Sequence, residues 1–163
     1  MILLEITAAA ILALANNTNA NENGFYYSFS HANGVVESQT VYKQDENGML
    51  KQHLMYQFGY DDNNRLVTKQ TYDWDGRNDA WTPRSELRYC YADSCCTLEL
   101  TYWSKKDKSY TDISQKYEYS TTFDNNMTVA MYEWDRSGKE YKLTDKYDVM
   151  NVSDDYLLAE TIG

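Results

Sequence analysis

The stretch Tyr72-Asp-Trp-Asp-Gly-Arg-Asn-Asp-Ala-Trp81 decides the fold of this chain. Aromatic residues flank a turn made of Asp, Gly and Asn, and such residues supply the left-handed and Asx-turn conformations that β-hairpins need. Similar blocks open at tyrosines that stand 30 residues apart, namely Tyr42, Tyr72, Tyr102 and Tyr132. A fixed period of this length predicts one supersecondary unit that is stacked several times along the chain.

Runs of β-branched and aromatic residues separate the turn signals, and each run predicts a β-strand. The predicted strands span residues 25–31, 34–44, 49–60, 65–75, 80–91, 96–104, 109–123, 127–135 and 139–150, with a further short edge at 155–162. Short turns favour pairing between sequence neighbours. The chain is therefore predicted to be all-β, an antiparallel meander of about nine strands in a twisted or curled sheet, with an open barrel as the alternative.

Alternation along the strands predicts one aromatic face and one face of charged residues and threonine. Tyr72 and Trp74 share a face, and the same pattern returns at Trp134. Trp103 directly follows Tyr102, so the 30-residue frame predicts that Trp103 lies on the opposite face from the other two tryptophans. That placement would make Trp103 the better candidate for an exposed contact.

The N-terminal sequence resembles a secretory signal peptide. An apolar run, Ile6 to Ala15, precedes a small-residue site at Thr18-Asn-Ala20. The usual positive charge is missing and Glu5 stands in its place, so a start placed too far downstream or a buried first helix is the alternative. We expect residues 1–20 to be removed and 21–163 to form a single β-repeat domain that is secreted, periplasmic or at the cell surface. The apolar run is too short for stable membrane insertion.

The composition is acidic and rich in tyrosine. Asp and Glu total 25 against 15 Lys and Arg, which gives a formal net charge of −10. An acidic surface repels phosphates, so nucleic acid is not an expected partner, and docking on anionic lipid is disfavoured. Sixteen Tyr and four Trp carry much of the apolar surface. These side chains bury a large body while keeping a polar edge in water, which suits a thin sheet with half-exposed faces.

The repeat resembles a secreted Bacteroides family of unknown function that is built from Tyr- and Trp-rich β-hairpin repeats. The resemblance is carried by the stretch from Tyr72 to Trp81 and its continuation Leu87-Arg-Tyr-Cys-Tyr91, and more loosely by Tyr132-Glu-Trp-Asp135. It spans most of residues 25–150 and implies a β-repeat fold and export. It implies no catalytic residue.

The aromatic residues of the repeat are the candidate ligand-binding residues, because an apolar ring with a polar edge suits a sugar or a peptide. They are Trp74, Trp81, Trp103, Trp134, Tyr72, Tyr102 and Tyr132. Cross-strand packing is the alternative explanation of their period.

The remaining reactive residues predict little chemistry. An exported chain favours a disulfide, either Cys90–Cys95 or Cys90–Cys96, with reduced cysteines as the alternative. The two histidines have no partner at metal-ligand spacing, and the Asp-rich turn at 73–79 departs from the EF-hand pattern, so no metal or cofactor is expected. No catalytic residue stands out.

These observations together favour an exported, non-enzymatic module that binds or scaffolds an envelope protein or a glycan. Three alternatives remain at this stage: glycan recognition by the aromatic face, a self-associating structural subunit, and a hydrolase that uses two facing carboxylates.

Overall fold

The computed structural model describes residue 11 and residues 24–93, 95–111, 114–121 and 126–149 of the chain. The predicted signal peptide and the predicted edge at 155–162 lie outside the described residues, apart from Ile11, which is helical and buried. Ten strands follow in chain order. They are β1 (Phe25–Ala32), β2 (Val35–Gln44), β3 (Leu50–Tyr60), β4 (Leu66–Asp75), β5 (Ala80–Ala92), β6 (Cys95–Ser104), β7 (Ser109–Tyr110), β8 (Gln115–Thr121), β9 (Met127–Asp135) and β10 (Glu140–Val149).

The strands form one antiparallel meander, which confirms the predicted fold class. The order in the sheet is β1-β2-β3-β4-β5-β6-β8-β9-β10, and β7 pairs with β6 beside this path. Every strand on the path is next to its sequence neighbour, as short turns require. β1 and β10 are the two ends of the order, and the strands that the structure describes do not close into a barrel.

The count of nine strands fails at 109–123, where one strand was predicted and two are found. Tyr110 pairs with Trp103, whereas Gln115 pairs with Leu100, so the return chain carries two more residues than β6 over this interval. Ser114 leaves the ladder to donate its N–H and its hydroxyl to the Leu100 carbonyl, at 2.8 and 3.0 Å. Such a bulge interrupts a strand without changing its neighbour, and sequence alternation alone does not reveal it.

Two of the turns are built by an aspartate that caps its own loop. Asp45 Oδ1 accepts the N–H groups of Asn47 and Met49 at 2.9 Å, and Gly48 adopts φ 79°. Asp61 repeats this arrangement sixteen residues later with the N–H groups of Asn63 and Arg65, both at 2.9 Å. The Asx-turn chemistry predicted from the Asp- and Asn-rich clusters thus operates in the β2–β3 and β3–β4 hairpins.

A second kind of turn joins β4 to β5, β6 to β7 and β9 to β10. Each has a left-handed residue just before the return strand, with φ 51–52° at Asp79, Lys108 and Lys139. The strand before each turn ends one residue after a tryptophan, and these tryptophans are Trp74, Trp103 and Trp134. The structural frame therefore follows the turns, with spacings of 29 and 31 residues, and not the even tyrosine spacing.

The chain divides into two compact units, one that ends at Glu86 and one that begins at Leu87. In the N-terminal unit the buried side chains include Val36, Val41 and Leu66, and Tyr60 donates its hydroxyl to the Val36 carbonyl at 2.8 Å. Burial raises the pKa of Tyr60 to about 12.

In the C-terminal unit the buried side chains belong mainly to β5, β6 and β9, and they are Tyr89, Cys96, Thr101, Met127, Val129 and Ala130. Within the described ranges, no helix is long and apolar enough to cross a membrane.

Candidate functional site

The tryptophans of the repeat form edge-to-face aromatic pairs at the hairpin ends. Trp74 and Trp81 have ring centroids 4.9 Å apart in the N-terminal unit. The C-terminal unit contains Trp103 with Tyr110 at 5.2 Å and Trp134 with Tyr141 at 5.0 Å. The interplanar angles of 66–77° are those that the ring quadrupoles favour. Cross-strand packing thus accounts for these half-buried tryptophans, which was the alternative explanation of the repeat.

The prediction that Trp103 faces away from Trp134 is wrong. Thr101 and Trp103 share a face of β6, and the register Glu99–Lys116–Tyr132 places Tyr132 and Trp134 on that same face. Tyr102 is the residue on the other face, and it is 47% exposed. The even tyrosine spacing does not decide which face a side chain occupies. The turns do, and at this repeat they lie one residue closer together than the tyrosines.

The predicted single aromatic face is also divided in the C-terminal unit. Tyr117 pairs with Met131, whereas Tyr132 pairs with Lys116, so the tyrosines of β8 and β9 lie on opposite faces. We call the side of Tyr117 and Met131 the groove face and the side of Lys116 and Tyr132 the network face. A register shift of one residue moves every side chain to the other face, so the pattern within single strands did not reveal this division.

The network face is organised around one lysine. The Lys116 ammonium lies 4.7 Å from the ring centroid of Tyr132 and 5.1 Å from that of Tyr141, and it contacts Glu118 Oε1 at 2.7 Å. Tyr132 donates its hydroxyl to Glu118 Oε2 at 3.0 Å. The hydrogen bond from Lys116 is the main cause of the lowered pKa of Glu118, and the bond to Glu118 raises the pKa of Tyr132.

This arrangement stabilises the fold and leaves its own polar groups paired within the protein. The cation, the carboxylate, the phenol and the two rings satisfy one another, as cation–π and charge-assisted contacts do. At the adjoining turn, Lys142 contacts Asp135 Oδ2, and this bond is the main cause of the lowered pKa of Asp135. The candidate residues Tyr132 and Trp134 are therefore engaged within the protein.

The groove face carries a cavity of about 400 Å³ within the C-terminal unit. Its lining is apolar and aromatic and comes from five strands, with Leu87, Leu98, Leu100, Tyr117, Tyr119, Met131 and Tyr147 as the lining residues. Tyr147 is 39% exposed, and Tyr117 donates its hydroxyl to Gln115 Oε1 at 3.3 Å. The volume and the lining are those of a small-ligand pocket.

None of these lining residues was among the candidate site residues predicted from the sequence. The signal that joins them is the cross-strand register Leu98–Tyr117–Met131, and this becomes visible only once the strands are paired.

A buried phenol lies next to the groove residues. Tyr89 is 5% exposed, and its hydroxyl has no hydrogen-bond partner among the residues that the structure describes. Burial strongly raises the pKa of Tyr89, and Cys96 and the groove residue Tyr119 are close enough to add to this effect. A buried hydroxyl without a protein partner marks a place where a ligand or a water supplies the missing bond.

In the N-terminal unit, the candidate Tyr72 belongs to a hydrogen-bonded chain. Its hydroxyl donates to Gln70 Oε1 at 2.9 Å, and Gln70 Nε2 donates to the buried carboxylate of Glu86 at 2.6 Å. On the opposite face of β4, the buried Lys69 lies 4.6 Å from the ring centroid of Tyr56. Burial lowers the pKa of Lys69 to about 8.

The Asp-rich turn at 73–79 is held by its own hydrogen bonds. Asp75 Oδ1 accepts the Arg77 N–H at 3.0 Å, and Asp75 Oδ2 accepts the Asn78 side-chain amide at 2.7 Å. Over the described part of the chain, no group of three or more His, Cys, Asp and Glu side chains is arranged to hold a metal ion.

The three cysteines are free thiols that differ in exposure. Cys90 is exposed, Cys95 is half-buried, and Cys96 is buried, and burial raises the pKa of Cys96 to about 12. Cys96 pairs with Tyr119 on the groove face, so its neighbour Cys95 lies on the network face. Because Leu87 and Tyr89 belong to the groove side, alternation places Cys90 with Cys95. Of the two predicted bridges, this geometry favours Cys90–Cys95, and the pairing stays a prediction.

The chain matches the model of a family of unknown function, DUF3836, over residues 1–121. It therefore belongs to that family, which agrees with the resemblance to a Bacteroides family of unknown function. No curated protein matches the chain.

Three crystal structures are similar to this one. A protein of unknown function from Bacteroides fragilis has a TM-score of 0.68 at 20% identity, over 88% of this chain and 99% of the other, and shows the fold alone. A DUF3836 family protein from Bacteroides vulgatus has a TM-score of 0.51 at 28% identity, over 54% of this chain and 89% of the other. A DUF3836 family protein from Parabacteroides distasonis has a TM-score of 0.50 at 30% identity, over 53% of this chain and 81% of the other.

Proposed function

We propose that this protein is an exported, non-enzymatic binding module and that its C-terminal unit holds a saccharide in the cavity on the groove face. The observation that carries the proposal is the cavity of about 400 Å³ with three tyrosines in its lining. Export is supported by the N-terminal sequence, with its apolar run followed by a small-residue site.

The lining favours a saccharide because it combines apolar surface with phenols. A sugar ring presents C–H groups on its face and hydroxyls around its rim, and tyrosine offers the complementary ring face and polar edge. Tyr147 supplies the most exposed ring of the cavity lining, and Tyr102 extends the same face of β6 two residues beyond Leu100.

The test is a glycan array on the chain from Asn21, followed by calorimetric titration of any hit. We expect Tyr147→Ala to weaken binding by about tenfold or more, as removal of an aromatic contact does. Leu143→Ala is the matched control, because Leu143 is 53% exposed on the same strand but pairs with Tyr132 on the network face. The absence of any glycan hit, or equal losses in both variants, would overturn the proposal.

A self-associating structural subunit is the second candidate, and the edge strand β10 favours it. β10 ends the order of the described strands and carries two exposed large apolar side chains, Leu143 and Tyr147, on opposite faces. An edge with unpaired backbone groups is a template for a second copy. Solution mass separates the two functions: a monomer that binds a glycan supports the first, and a concentration-dependent dimer without a glycan hit supports the second.

A further inference from the structure

One hairpin end departs from the aromatic pairing seen elsewhere. The last-but-one residue of β2 is Lys43, and it pairs directly with Lys51, the second residue of β3. The corresponding positions of three other hairpins hold the aromatic pairs Trp74 with Trp81, Trp103 with Tyr110, and Trp134 with Tyr141. These pairs correspond in their position along the hairpin and not in the face of the sheet that they occupy. Lys43 shares the face of Val41, whereas Trp74 lies on the opposite face.

Two like charges that face each other across a strand pair are unfavourable. The arrangement is more unusual because the chain as a whole carries a net charge of −10. A position where a sequence departs from a local rule is a candidate functional position.

Further side chains converge on the same point. Phe25 pairs with Lys43, so Phe25, Lys43 and Lys51 share one face of the N-terminal unit. The His53 ring lies 5.8 Å from the Phe25 ring, centroid to centroid, and the Lys43 ammonium lies 5.9 Å from the Phe25 centroid. We call Lys43, Lys51 and His53 the basic cluster. The cluster lines an open cavity of about 520 Å³ together with residues of the β2–β3 turn, among them the carboxylates of Asp45 and Glu46.

Asp45 is the carboxylate in this lining that forms an ion pair with the cluster. Asp45 Oδ1 accepts two turn N–H groups, and Asp45 Oδ2 contacts Lys51 at 2.9 Å. The Asp45 charge is therefore shared between the turn and one lysine. Lys43 makes no ion pair with any residue that the structure describes.

We propose that the basic cluster binds an acidic saccharide, with the carboxylate or sulfate group between Lys43 and Lys51 and the sugar ring against Phe25 and His53. Ammonium groups recognise oxyanions through charge-assisted hydrogen bonds. The half-buried Phe25 ring and the exposed His53 ring beside them suit a ring of the same ligand. This site lies in the N-terminal unit and does not depend on the cavity of the groove face.

The experiment is a titration of the ¹⁵N-labelled chain from Asn21 with glucuronic acid, with glucose as the neutral control and inorganic sulfate as the bare anion. Glucuronic acid is expected to shift the amide resonances of residues 43–53, and glucose is not. Binding is expected to weaken as salt is raised, because exposed charges are screened. Displacement of glucuronic acid by sulfate would support recognition of any oxyanion, and failure to displace it would support recognition of a carboxylate.

Two variants decide whether the cluster is responsible. Lys43→Met is expected to weaken binding of glucuronic acid by about tenfold, and Lys146→Met, which removes an exposed lysine of β10, is expected to leave it unchanged. Equal binding of glucose, no binding of glucuronic acid, or unchanged binding in Lys43→Met would overturn the proposal. The groove proposal fails separately, since its hits depend on Tyr147 and not on Lys43.

Discussion

The two faces of the C-terminal unit carry similar residue types in different arrangements. On the network face, Lys116, Glu118, Tyr132 and Tyr141 contact one another, and each charge has a partner. On the groove face, tyrosine and leucine side chains from five strands line a cavity. The difference shows that the register, by selecting the face, decides whether an aromatic residue of this repeat joins the network or lines the cavity.

Removal of a ring from the network face is the strongest way to test this comparison. We expect Trp134→Ala to lower the free energy of unfolding by about 2–3 kcal/mol, because it removes the edge-to-face contact with Tyr141 and leaves a gap beneath the ring. Tyr147→Ala on the groove face is expected to cost less than about 1 kcal/mol, since that ring is 39% exposed. Urea denaturation measures both, and equal losses would remove the distinction between the faces.

A second prediction concerns Lys69, the buried lysine of the N-terminal unit. The pKa of Lys69 falls from 10.5 to about 8, so between these values the unfolded chain binds more protons than the folded one. Lys69 should therefore contribute a rise in stability of about 2 kcal/mol between pH 7 and 9.5.

Denaturation at a series of pH values measures this rise. Lys69→Met should remove it, and Lys146→Met, which changes an exposed lysine, should retain it. A wild-type curve that runs parallel to that of Lys69→Met from pH 7 to 9.5 would show that burial does not act on Lys69 as described.

The third prediction concerns the carboxylate of the network. Glu118→Gln should cost only about 0.5 kcal/mol, because the Glu118 side chain is 36% exposed and its ion pair is partly screened. The pKa of Glu118 is lowered from 4.5, so its contribution is complete above that pH and is lost as the pH falls through the folded value. Wild type and variant should therefore converge in stability in acid, and a gap that widens there would contradict the assignment.

The smallest effect is a difference in labelling among the cysteines. Iodoacetamide should modify the exposed Cys90 first and the buried Cys96 only on unfolding, because burial raises the Cys96 pKa and hinders access. Peptide mapping of the reduced protein provides the measurement. Mapping of the oxidised protein should find Cys90 joined to Cys95, and a Cys90–Cys96 bridge would show that the two residues do not lie on opposite faces.

The sequence was sufficient to predict the meander, because turn residues and alternating strands are local signals. It was insufficient for the placement of Trp103 and for the bulge near Ser114, since both depend on how many residues lie between paired positions. The groove was beyond sequence reasoning for the same reason: Leu98, Tyr117 and Met131 are distant in sequence and meet only through register. The even spacing of the tyrosines along the chain concealed the repeat spacing that the turns set.

The most direct measurement of the central claim is titration of a glycan-array hit against three proteins: wild type, Tyr147→Ala and Tyr132→Phe. Tyr132→Phe keeps the ring and removes only the hydroxyl that donates to Glu118. The division of the faces predicts that binding falls by about tenfold in Tyr147→Ala and is unchanged in Tyr132→Phe. Loss of binding in Tyr132→Phe, with binding retained in Tyr147→Ala, would place the ligand on the network face and contradict the account.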